Sequence, residues 1–153
     1  MHVFQRATIL PADIAEVFAF HENPANIRKI SPFFLKVIDV QGNTVAAVDD
    51  TFALKLRIFG FHLSWNGFWA EVHNPTLLVD TASIFPFQKW QHEHRFESVS
   101  EGTRMTDCVV YELSFGVIGR LFGATVFRVL FLVMFLGRHL ATRNYFKLSL
   151  ERR

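Results

Sequence analysis

The sequence predicts an α+β fold: a curved antiparallel sheet of about six to seven strands around a long C-terminal helix, with two short helices after the first strand. Three observations predict it. Apolar residues recur with a period of two across 35–113, and turn residues interrupt that pattern at short spacing. After Gly119 there follows a stretch of about thirty residues without proline, long enough only for a terminal helix.

The elements follow in order. His2–Leu10 reads as a strand, and Pro11 ends it. Residues 11–20 open on that proline and place Ile14, Val17 and Phe18 on one helical face, with Asp13 and Glu16 on the other. A second short helix over 24–30 stops at Ser31-Pro32, because a residue before proline avoids helical backbone. Strands are then expected over 35–41, 51–59, 61–72, 77–84, 89–99 and 103–113. Gly42-Asn43, Gly60, Asn74-Pro75, Pro86 and Glu101-Gly102 separate them, and links this short favour an antiparallel meander over crossovers. The closing helix is expected over 120–150.

A chain of 153 residues is one ordinary domain, 1–153, with no repeat or linker. Half of its residues are hydrophobic and 20% charged, which excludes a disordered or collagenous chain. Eighteen Phe against two Tyr and three Trp make the aromatic content almost wholly apolar, which points to greasy ligands. A net charge of +2 is too small for a nucleic-acid footprint, so no nucleic acid is expected as a partner. The charge is uneven: residues 1–119 carry nine basic and thirteen acidic side chains, and 120–153 carry seven and one. The lone Cys108 forms no internal disulfide and the start shows no signal-peptide pattern, so a cytoplasmic location is expected.

The strand at 89–99 alternates cleanly, with Trp90, His92, His94 and Phe96 on one face. Its neighbour places Asp107, Val109 and Tyr111 together, and if the two inward faces are shared, His92, His94, Asp107 and Tyr111 form a polar cluster in an apolar pocket. Three chemistries suit such a cluster. Histidines at i and i+2 converge on one metal ion with Asp107 as third ligand. His94 oriented by Asp107 is an acid–base pair. The plainest is mutual hydrogen bonding, or contact with the polar end of a ligand. The last carries most weight, so no metal, cofactor or firm catalytic residue is assigned, with His94, Asp107 and Tyr111 as catalytic candidates. Trp65 and Trp69 flank Gly67, a pattern suited to a wall where a ligand approaches the backbone, or to ordinary core packing. No nucleophile elbow, P-loop, dinucleotide fingerprint, HExxH or CxxC is present.

The terminal helix is apolar on every face over 129–136, whereas a helix gripped by a sheet keeps one polar face. Arg120, Arg128 and Arg138 leave only nine uncharged residues between them, too few to span a bilayer. Peripheral membrane contact or a homodimer would cover that surface, with Arg138, Arg143, Lys147, Arg152 and Arg153 as contacts for anionic lipid or as solubilising ends.

Three stretches carry a family resemblance. They are Pro11-Ala-Asp-Ile-Ala-Glu-Val-Phe-Ala-Phe with Asn23-Pro24 behind it, Phe85-Pro86-Phe87-x-x-Trp90-x-His92-x-His94-x-Phe96, and Gly102-Thr103-Arg104-Met105-Thr106-Asp107 running to Tyr111. Together they resemble the START-like helix-grip superfamily, in particular the bacterial SRPBCC group of polyketide cyclase/dehydrase and lipid-transport proteins. The resemblance implies a deep cavity between sheet and last helix that takes a lipid, quinone or polyketide-like molecule, and it leaves catalysis open. The expected function is therefore hydrophobic-ligand binding. Trp65, Trp90, Phe96 and Val109 would form the wall, and His92, His94, Asp107 and Tyr111 would anchor the polar end. The alternative is a cyclase/dehydratase in which His94 and Asp107 move a proton while Tyr111 steadies an enolate.

Overall fold

The computed structural model describes residues 1–114 and 116–152; Arg153 lies outside the described residues. Seven strands form one antiparallel sheet in the order β1-β7-β6-β5-β4-β3-β2: β1 His2–Leu10, β2 Leu35–Gln41, β3 Thr51–Ile58, β4 Phe61–His73, β5 Leu77–Ser83, β6 Phe87–Val99 and β7 Gly102–Leu113. Sequence neighbours pair with one another from β2 through β7, and β1 closes on β7.

Two short helices follow β1. Helix α1, Ile14–Glu22, starts where the Asp13 carboxylate accepts from Ala15 N–H at 2.9 Å, which satisfies one of the free amides of its first turn. After a 3₁₀ turn over Pro24–Asn26 comes α2, Ile27–Ile30. Gly102 locks this corner onto the sheet: its φ of +126° favours glycine, and a Cβ there would meet Leu10 O at 2.3 Å. Thr103 Oγ1 next to it donates to Ala12 O at 2.8 Å.

The terminal helix begins earlier than 120. It runs as α3, Gly116–Phe122, a π-turn over Gly123–Phe127, and α4, Arg128–Glu151. Phe131, Phe135, His139, Thr142 and Phe146 form its buried stripe at steps of three and four, and the sheet curves around that stripe. Its other faces leave Val129, Leu132, Val133, Leu136 and Leu140 exposed. The whole 36-residue helix Gly116–Glu151 is long and apolar enough, by length and composition, to cross a membrane. Its α4 half is nevertheless seated along the sheet of its own domain through Phe131, Phe135 and Phe146.

The antiparallel order brings the loops around 31–34, 59–60 and 84–86 and the start of α3 to one end of the sheet. That end is aromatic and exposed: Phe33, Phe59, Phe61 and Phe85 are 99%, 66%, 79% and 72% accessible. Val117, Ile118 and Leu121 of α3 are exposed as well. The opposite end carries Asp13, Asp49, Asp50 and Glu101.

Candidate ligand cavity and buried histidine–aspartate cluster

Register brings the polar residues together. On the adjacent strands β5, β6 and β7, Asp80 lies opposite His92, and His94 lies opposite both Leu78 and Asp107. The register shift in β6 falls between Phe87 and Lys89, before the histidines, so Trp90, His92, His94 and Phe96 keep one inward parity. All four polar groups are buried, Asp107 with 0% of its surface accessible.

Asp107 is the hub. Its Oδ1 accepts from His92 Nε2 at 3.0 Å, and His94 Nδ1 stands 2.6 Å from the same oxygen. Its Oδ2 is bonded by His139 Nε2, reaching down from α4. Burial alone would raise this carboxyl, but the charge of His94 and the bonds from His139, His92 and His94 outweigh it and hold Asp107 well below the usual carboxylate range. Asp80, whose Oδ2 is 3.5 Å from His92 Nδ1, has no such set of donors, and burial pushes it up to about 6 against the pull of His94 and Arg138. His94 is lowered by burial and by neighbouring His92. His21 of α1 donates from Nδ1 to Val17 O at 2.7 Å, and burial, then His94, bring it down to about 3, so it is neutral.

The cluster lies in the wall of a cavity of about 310 Å³ between the sheet, α1–α2 and α4. Leu54, Leu56, Trp65, Trp69, Met134 and Phe135 belong to the cavity's apolar wall, and Arg138 joins the polar end. Trp65 meets Trp90 edge-to-face with ring centres 4.7 Å apart, an arrangement that fixes both indoles. Phe34, Ile58, Phe85 and Pro86 carry the lining out to the aromatic end of the sheet.

Of the residues expected from sequence, Trp65, Trp90, His92, His94 and Asp107 line the cavity. Phe96, Val109 and Tyr111 share the inward parity but pack behind the lining. Phe96 meets Phe18 edge-on, and Val109 and Tyr111 belong to a core cluster with Phe4, Phe131 and Phe135. Helices α1 and α4 pack over these strand positions, and none of the three is among the residues that line the cavity. Gly67 does not admit a ligand either. A Cβ there would stand 2.6 Å from the Phe52 ring, which already fills the space.

Four members of the site were not anticipated: Asp80, His21, His139 and Arg138. Asp80 is the only acidic residue of the apolar strand β5, and His139 sits four residues after Phe135 in the buried stripe, so both carried a periodicity signal. His21 and Arg138 enter from helices, and only the tertiary packing places them here.

No protein-family model matches the sequence, and no curated protein matches it significantly. Solved structures do match in shape. Protein NE0264 from Nitrosomonas europaea superposes with a TM-score of 0.77 at 14% identity, over 96% of this chain and 95% of that one. The di-domain ARO/CYC StfQ from the steffimycin biosynthetic pathway superposes with a TM-score of 0.78 at 8% identity, over 97% of this chain and 52% of that one. Ara h 8.0201 gives a TM-score of 0.64 at 13% identity, over 94% and 96%. At such identities the likeness concerns architecture alone: this chain has the helix-grip fold.

Proposed function

We propose that this protein binds one hydrophobic small molecule between the sheet and α4, its apolar body against Trp65, Trp90 and Met134 and its polar end at His92, His94 and Asp80. The observation that carries the reading is the cavity itself. It has the size of a small-molecule pocket, about 310 Å³, with largely apolar walls and its ionisable groups gathered at one place. A filled site of this kind draws affinity from apolar burial and orientation from the cluster.

The same proposal includes exchange of the ligand with a bilayer at the aromatic end. Phe33, Phe59, Phe61 and Phe85 are exposed around the region where the lining emerges, a large concentration of apolar surface for a free domain. Lys36 and Arg57 face one another across the β2–β3 pair close by, a like-charge pairing that costs stability and suits an anionic surface. Segments 23–38, 51–70, 81–92 and 113–150 contain no acidic residue. In this reading the contact lies at the loops and the first half of the terminal helix, rather than at its basic C-terminal end. A cytoplasmic setting at the inner membrane face belongs to this proposal.

Uptake of a fluorescent fatty acid or quinone analogue tests the binding reading. Leu130→Trp, which fills the cavity from α4, is expected to abolish uptake with the fold intact by circular dichroism; unchanged uptake contradicts it. Flotation with vesicles containing anionic lipid is expected to carry the wild type and to lose Phe59→Ser/Phe61→Ser. A stable dimer that ignores vesicles contradicts the bilayer reading. A second reading, acid–base catalysis of the cyclase type, is favoured by the 2.6 Å approach of His94 to Asp107 and by the likeness to StfQ. Turnover of a polyketide-like substrate that disappears in His94→Ala would replace the carrier reading.

A further inference from the structure

We propose that Asp80, His92 and His94 form a binding site for one divalent transition-metal ion in the cavity wall. One ligand atom from each residue lies within 4.8 Å of the others, and all three residues are buried and line the cavity. Two imidazoles and a carboxylate are a donor set for Zn(II), Fe(II) or Co(II), and three protein ligands leave coordination positions open toward a cavity ligand.

The hydrogen-bond accounting points to a cation. An ionised carboxylate only accepts, so the bond from His92 Nε2 to Asp107 Oδ1 puts a proton on Nε2, and in the neutral imidazole that a metal requires the Nδ1 lone pair faces Asp80. Nδ1 stands 3.5 Å from Asp80 Oδ2, too far for a hydrogen bond. Two donor atoms bound tetrahedrally to one zinc-sized ion, each at about 2.0–2.2 Å, stand about 3.4 Å apart, which matches that separation. The lone pair and the carboxylate oxygen thus flank a gap of the right width.

The surroundings support the same assignment. Asp107 orients His92 through its far nitrogen, and His139 on α4 holds Asp107 in turn, which is the outer-shell arrangement that stiffens metal-binding histidines. Asp80 and Asp107 against Arg138 leave one formal negative charge among the cavity-lining residues. The spacing of His92 and His94 suggested a metal from sequence, with Asp107 as third ligand. The structure assigns that place to Asp80 and puts Asp107 behind the histidines.

The test uses the full chain stripped with a chelator and titrated with Co(II). One equivalent is expected to bind, with the visible absorption of a low-coordinate Co(II) site and quenching of tryptophan fluorescence, since the Trp90 ring centre is 6.3 Å from that of His92. Asp80→Asn and His94→Gln, checked for fold by circular dichroism, are each expected to weaken binding roughly tenfold or more. His73→Gln, at an exposed histidine, is expected to change nothing. Absence of stoichiometric uptake by the wild type, or an affinity unmoved by Asp80→Asn and His94→Gln, overturns the site. Either result leaves the hydrophobic-ligand reading standing, because that reading is tested by uptake without metal.

Discussion

Asp107 and Cys108 are neighbours in β7 with opposite surroundings, and the alternation of a strand is the whole cause. Asp107 points inward, where three imidazoles compensate its burial. Cys108 points outward opposite Glu93, and burial, then the Glu93 charge, push its thiol up. A raised pKa means less thiolate at a given pH, so alkylation of Cys108 near pH 8 is expected to run slower than that of a free-cysteine peptide. Glu93→Gln removes a negative neighbour, lowers the pKa and is expected to accelerate the reaction. An unchanged or slower rate, followed with a thiol reagent, contradicts that electrostatic origin.

At the scale of the element, α4 has two kinds of apolar residue with separate roles. Phe135 is fully buried against Phe4 and His92, so Phe135→Ala is expected to cost about 3–5 kcal/mol in denaturant unfolding through the cavity it leaves. Val133, two residues away, is half exposed, and Val133→Ser is expected to stay within about 0.5 kcal/mol while reducing vesicle binding. Equal losses in the two variants would mean that the helix is not gripped as described. Most elements were legible in sequence because turn residues punctuate a strict period of two. The inward parity of Trp90, His92 and His94 was legible for the same reason. Depth was not legible. Nothing in the alternation distinguishes Trp65, which lines the cavity, from Val109, which α4 buries, because that depends on where the helices cross the sheet. The start of the terminal helix at Gly116 was missed for a related reason: glycines near 116–123 look like helix breakers, yet Gly119 is needed for close approach to Ser114 O, where a Cβ would come within 2.1 Å.

Across the whole molecule, polarity is sorted along the sheet. Loops bearing Phe33, Phe59 and Phe85 gather at one end and loops bearing Asp49, Asp50 and Glu101 at the other, while the histidine–aspartate cluster sits in the wall between the sheet and α4. Under the proposed function, the aromatic end meets the bilayer and the cavity holds a molecule taken from it. Cavity, cluster and aromatic rim are three parts of one account, and the cavity is the part on which the others depend.

Native mass spectrometry of protein purified without detergent, run beside a denatured solvent extract, tests that account most directly. The expected result is an additional small-molecule mass on the folded protein that disappears on denaturation, is recovered in the extract as a hydrophobic compound, and is absent from Leu130→Trp. A wild-type protein that carries no such mass and also takes up none when offered fatty acids and quinones would contradict it.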